Sequence, residues 1–100
     1  MTELQEYINR LVDDYEKDIE QAYTDILEDA LDIEVAHSIG STPTYLGAKI
    51  YITLGGPNIW VDTRFNRMCG AWWGDSYDHP LNDDLCEWLN NYVQECCNCY

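Results

Sequence analysis

The chain has 100 residues, of which 46% are hydrophobic and 24% charged, and its net charge is −14 at pH 7. The composition is globular rather than disordered, and the length suits one domain. Only 5 lysines and arginines stand against 19 carboxylates; this excludes direct binding to DNA, RNA or an anionic membrane and favours a basic partner.

Thr2 and Gln5 have the spacing of a capping box, with a hydroxyl at the N-cap and an amide three residues on. From there Leu4, Ile8, Leu11, Tyr15, Ile19, Ala22, Ile26 and Ala30 recur at steps of three and four, with no Gly or Pro between them. That pattern predicts one long N-terminal helix of about eight turns. The segment LDIEVAHS then alternates, with Ile33 and Val35 on one side, and GSTPT (40–44) reads as a loop.

YLGAKIYITLGG also alternates. Leu46, Ala48, Ile50, Ile52 and Leu54 are expected on the core face, and Tyr45, Lys49, Tyr51 and Thr53 on the other. GGPN breaks the strand, because Pro57 cannot donate to a ladder. IWVDT follows with Ile59 and Val61 inward and Trp60 outward, RFNR makes a hairpin loop in which Asn66 can take a left-handed conformation, and MCGAWW is a further strand. GDSYDHP has the composition of a loop. A last helix starts at Asn82, a good N-cap, with Leu81 placed to staple its entry and Leu85, Trp88, Leu89, Tyr92, Val93 and Cys96 as its buried stripe. The order implies an α+β fold: a long N-terminal helix, a small antiparallel sheet of three to four strands and a C-terminal helix.

The charge is polarised along the chain. Residues 1–34 hold twelve acidic and two basic side chains, a net −10, and residues 35–100 hold seven and three, a net −4. On a helix, Glu3, Asp14, Asp18, Asp25 and Asp29 form one row, while Glu6, Asp13, Glu16 and Glu20 form a second that Arg10 and Lys17 partly neutralise. Asp14–Asp18 and Asp25–Asp29 are like charges at i, i+4, costing about 0.2–0.5 kcal/mol each. A solvated face needs charge for solubility but not this much of one sign. The first row, with carboxylates four residues apart and so about 6 Å apart along the axis, is the candidate imitation of a phosphate backbone. Tyr51, Trp60 and Trp72, the last chosen from the Trp72–Trp73 pair, are expected on the uncovered side of the sheet as partner-binding anchors.

The remaining signals are weak. Cys69, Cys86, Cys96, Cys97 and Cys99 are an odd number, and CCNC lacks the paired spacing of a zinc site, so free thiols and no metal are expected. His37 and His79 have no ligand spacing between them, no nucleophile elbow or phosphate loop is present, and the glycine pair at 55–56 is a turn. Neither catalytic residues nor a cofactor is implied. MTELQEYINR carries no signal-peptide core and no stretch reaches the roughly 18 apolar residues of a membrane span, so the chain reads as cytoplasmic.

The segments ALDIE, GAKIYITLGGPNIWVDT and WWGD, with a short C-terminal helix ending near NC, resemble a group of small acidic proteins from phages and mobile elements. Size, charge and element order more loosely resemble anti-CRISPR proteins. The resemblance implies a non-enzymatic inhibitor of a host defence nuclease, working in the cytoplasm of a bacterial cell. Its partner would be the basic cleft of a nucleic-acid-binding protein such as an RNA-guided CRISPR effector, whose arginines read guanines. The alternative is a protein–protein adaptor or antitoxin-like module that binds through the aromatic sheet face.

Overall fold

The computed structural model describes residues 2–97, with the backbone alone at Cys97. Its elements are α1 (Glu3–Lys17), α2 (Ile19–Asp29), β1 (Asp32–His37), β2 (Tyr45–Thr53), β3 (Asn58–Asp62), β4 (Arg67–Trp72), β5 (Asp75–Pro80) and α3 (Asp83–Cys97). The fold is α+β. Among the described residues three helices accompany one antiparallel sheet whose five strands lie in chain order.

The N-terminal helix is two helices, not one. Asp18 leaves the helical region (φ −147°, ψ 95°), and its carboxylate accepts from the Gln21 N–H at 3.1 Å, capping α2. The apolar stripe continues through the break, so spacing alone predicted a single rod. The capping box at Thr2 and Gln5 forms as expected.

The sheet has a fifth strand where GDSYDHP was expected to be a loop. Trp73 and Gly74 make a two-residue turn with φ of 53° and 83°, both left-handed, and Trp72 pairs with Asp75 across it. Positive φ at both central positions is the geometry that matches the twist of a hairpin, and Gly74 adopts it without a steric cost. Asn66 takes the left-handed conformation (φ 56°) in the β3–β4 turn, as its side chain allows.

Alternation across the sheet puts Ile50, Ile59, Val61 and Met68 on the helix side, each fully buried with Ile8, Ile26, Leu85, Leu89 and Val93. Burying a side chain of this size stabilises by about 1.5–3 kcal/mol. α1 lies over β4 and β5 and approaches closely at Gly70, where a Cβ would sit 2.6 Å from Ile8 Cδ1. Tyr77 adds a tether by donating to Asn9 Oδ1 at 2.8 Å. α3 is tied to β2 and β3 through a buried polar cluster. Thr63 Oγ1 accepts from the Ala48 N–H at 2.9 Å and donates to Asn90 Oδ1 at 2.6 Å, and Asn90 also accepts from Tyr45. The cap at Asn82 forms, with Oδ1 accepting from the Leu85 N–H at 3.0 Å.

Several expected faces change. The register shifts opposite Gly47, between Ala36 and His37, so Tyr45 turns toward α3 while Leu46 is exposed. A second irregularity beside Ile52 ends the alternation, and Leu54 is exposed too. Trp88, Tyr92 and Cys96 of α3 are exposed rather than buried, and the buried positions there include Cys86.

Candidate functional site

The eight expected partner-binding residues fall into three places. Asp14, Asp18, Asp25 and Asp29 line one hollow of about 280 Å³ at the elbow between α1 and α2, together with Leu11, Tyr15, Gln21 and Ala22. Glu3 is eleven residues up α1 from Asp14, about 16 Å along the axis. It lines a separate hollow with Trp72, Trp73 and Asp75. Tyr51 and Trp60 lie on the sheet face away from the helices.

The break at Asp18 changes the meaning of the acidic row. A straight helix would present a ladder of carboxylates. The elbow instead turns carboxylates from both helices into one concavity. Asp18 is no longer a cost to a helix interior, because a carboxylate at an N-terminus satisfies an orphan N–H and complements the helix dipole. The cations are also distributed differently from the expectation. Lys17 pairs with Asp14 at 3.6 Å, on the row expected to be left mostly unneutralised, where only Arg10 was expected to reach Asp14. Asp25 accepts from the Gln21 side-chain amide at 2.9 Å. Tyr15, 6% exposed, is pushed upward in pKa first by burial and then by Asp29 and Asp25.

Trp72 is not on the open sheet face. It lies on the same side of β4 as Met68 and Gly70 and packs against the core. Trp73, at the hairpin tip, is the exposed member of the pair at 88%. Sequence reasoning passed over it because a tryptophan with positive φ is not anticipated from strand alternation.

The open face is a worked-out network. Across the strands run Asp32, Tyr51, Trp60, Cys69 and Asp78 in one row, and Glu34, Lys49, Asp62 and Arg67 in the next. Tyr51 donates to Glu34 at 2.5 Å, and this bond pushes its pKa up to about 12. The Tyr51 and Trp60 rings meet at 5.7 Å, with Lys49 Nζ 5.8 Å from the Trp60 ring. Asp62 accepts from the Arg64 and Phe65 N–H groups, and Asp78 pairs with Arg67.

The cysteines do not converge. Cys69 lies on the open face, Cys86 is buried in α3 and Cys96 is exposed. Burial raises the Cys69 thiol to about 11 and the Cys86 thiol to about 12. The Cys97 side chain and Cys99 lie outside the described residues, so the expectation for the CCNC segment does too. Among the described residues no three His, Cys, Asp or Glu side chains are grouped to hold a metal ion, and no helix is long and apolar enough to cross a membrane.

Comparison with known proteins finds no matching family model, no matching curated sequence and no matching solved structure.

Proposed function

We propose that the protein is a non-enzymatic inhibitor of a host defence nuclease, an acidic decoy that occupies a basic nucleic-acid-binding surface, with an RNA-guided effector as the leading candidate partner. The observation that supports this reading is the gathering of Asp14, Asp18, Asp25 and Asp29 at one elbow, within the part of the chain that carries a net −10. An electrostatic surface of this kind steers association with a basic cleft and discourages acidic partners. The elbow refines the decoy idea. A concave set of carboxylates suits cationic side chains that project from the partner, rather than a smooth groove shaped for a phosphate rod.

The test uses a panel of purified RNA-guided nucleases assayed for target cleavage with and without the protein. Inhibition of a member, weakened by raised salt mainly through a slower association rate, is the expected result. The variant with Asp14, Asp18, Asp25 and Asp29 all changed to Asn keeps the Asp18 cap in amide form and should lose inhibition. If the four-fold variant inhibits as well as the parent, the acidic elbow serves solubility alone. The second reading, an adaptor binding through the sheet, draws on the Tyr51–Trp60 pair, which no helix covers among the described residues. It predicts weak salt dependence and loss of binding in Trp60→Ala.

A further inference from the structure

The open face of the sheet carries a hollow that neither reading above uses. It measures about 360 Å³ and lies where Ala36 and Gly47 pair across β1 and β2. Both residues share a face with Glu34 and Lys49, two positions along each strand. Neither side chain is larger than a methyl group, so the floor is low there. The Arg64 backbone closes one side. It lies so near Gly47 that a Cβ on the glycine would sit 2.7 Å from Arg64 Cα. Phe65, 65% exposed, lines the hollow beside it. The volume is at the small end of the range that binds small molecules, roughly 300–1,000 Å³.

The charges around this hollow are unequally engaged. Its two carboxylates serve the fold: Glu34 accepts from the Tyr51 hydroxyl, and Asp62 accepts from the Arg64 and Phe65 N–H groups. Its two cations do not. Lys49 stands between Glu34 and Asp62 in the cross-strand row, yet pairs with neither and lies with Nζ 5.8 Å from the Trp60 ring. The Arg64 guanidinium lies 5.2 Å from the Phe65 ring. Neither cationic group makes a hydrogen bond or ion pair among the described residues, in a chain with 19 acidic residues. A ring beneath a cation holds it in place and leaves its N–H donors free for an acceptor.

Two cations with unused donors, an aromatic wall and a low apolar floor select a class of ligand. A carboxylate matches the planar guanidinium with both oxygens, and the lysine ammonium can add a third donor. An aromatic body fits a flat floor and can meet the Phe65 ring edge to face. A dianion is a poorer match, because Glu34, Asp62 and the net −14 of the chain repel it more strongly.

We propose that this hollow binds a monoanion consisting of one carboxylate on an aromatic body. Arg64 and Lys49 receive the carboxylate, and the ring lies over Ala36 and Gly47 against Phe65. The site is on the sheet face and draws on neither the elbow nor the inhibitor reading.

The test is an NMR titration of the full chain with 3-phenylpropionate, its neutral amide, phenyl phosphate, acetate and N-acetyl-phenylalanine. Saturable shifts confined to the amides of residues 34–36, 47–49 and 62–65 are expected with 3-phenylpropionate. The neutral amide should bind about tenfold more weakly. Phenyl phosphate and acetate, the one doubly charged and the other lacking the ring, should each bind more weakly as well. N-acetyl-phenylalanine presents the same two groups as the last residue of a peptide. If it binds more tightly than 3-phenylpropionate, the natural carboxylate is a chain terminus; if more weakly, it belongs to a free small acid.

Arg64→Gln should weaken 3-phenylpropionate about tenfold and Lys49→Gln severalfold, with melting curves close to the parent. Arg67→Gln removes a cation from the same row but outside the hollow, and should leave binding unchanged. Equal binding of the amide, tighter binding of phenyl phosphate, an Arg67→Gln loss as large as that of Arg64→Gln, shifts spread over the whole chain or no saturable shift each overturns the proposal.

Discussion

The elbow between α1 and α2 and the open face of the sheet hold the same kinds of side chain but engage them differently. On the sheet, Glu34 accepts from Tyr51, Asp62 from two backbone N–H groups, Asp78 pairs with Arg67, and Lys49 sits over Trp60. Cross-strand neighbours at this spacing stabilise the sheet itself. At the elbow, Asp29 has no such partner among the described residues, and Asp14, Asp18 and Asp25 each have one. Charge consumed by the fold maintains a surface. Charge left over is available to a partner. Under the proposed inhibitor reading the contrast favours the elbow over the sheet face, although the sheet face has the larger aromatic side chains.

The largest expected effect tests the division of the sheet into faces. Ile59→Ala, at a position with no exposure, should lose about 2–5 kcal/mol in urea unfolding. Trp60→Ala, one residue on and facing outward, should lose much less. Comparable losses would mean that the open face is as structural as the core and would blur the comparison. The next effect concerns the hairpin tip. Trp73 is held at φ 53°, a conformation that costs most residues roughly 1–2 kcal/mol and that Asn tolerates. Trp73→Asn should therefore raise stability by about 1 kcal/mol. If the same change abolishes partner binding, the tip is a third binding region and the elbow does not act alone.

Smaller effects come from single polar groups. Asp18→Ala removes the α2 cap and should cost about 1 kcal/mol, while Asp18→Asn should cost little. Equal losses would show that the carboxylate charge, not the cap, holds the elbow. The smallest effect is expected on the sheet face. Tyr51→Phe removes an exposed bond to Glu34 and should cost a few tenths of a kcal/mol. Since Tyr51 is raised from 10.0 to about 12 in the folded chain, its neutral form is the one stabilised. That contribution is intact below pH 10 and is lost as pH rises toward 12. Thermal melts from pH 9 to 12 should show a decline that is shallower in Tyr51→Phe.

Much of the fold was legible in the sequence because period and turn chemistry agreed. Thr2 with Gln5, the alternation about Ile50 and Val61, Asn66 in a turn and Asn82 as a cap all form as expected. The break at Asp18 was legible too, since Asp18 and Gln21 repeat the spacing of Thr2 and Gln5, but the uninterrupted apolar stripe outweighed that signal. β5 was hidden by its own composition. It lies at the edge of the sheet with no fully buried residue, so it shows no apolar alternation, and the Gly74–Asp75 lead-in and Pro80 end read as loop. The acidic residues of the candidate site were visible from charge, but their concave arrangement depends on the elbow.

The strand order carries a consequence for how the chain is made. Every strand pairs with the next one in sequence, so the sheet can zip one hairpin at a time as it leaves the ribosome. α1 cannot join in that way. It is synthesised before all the strands, yet it rests on β4 and β5, and its tether from Tyr77 to Asn9 spans 68 residues. During synthesis its apolar stripe waits uncovered, and loop closure over that distance must precede its docking. The carboxylates along its outer side keep the waiting helix in solution until its seat exists.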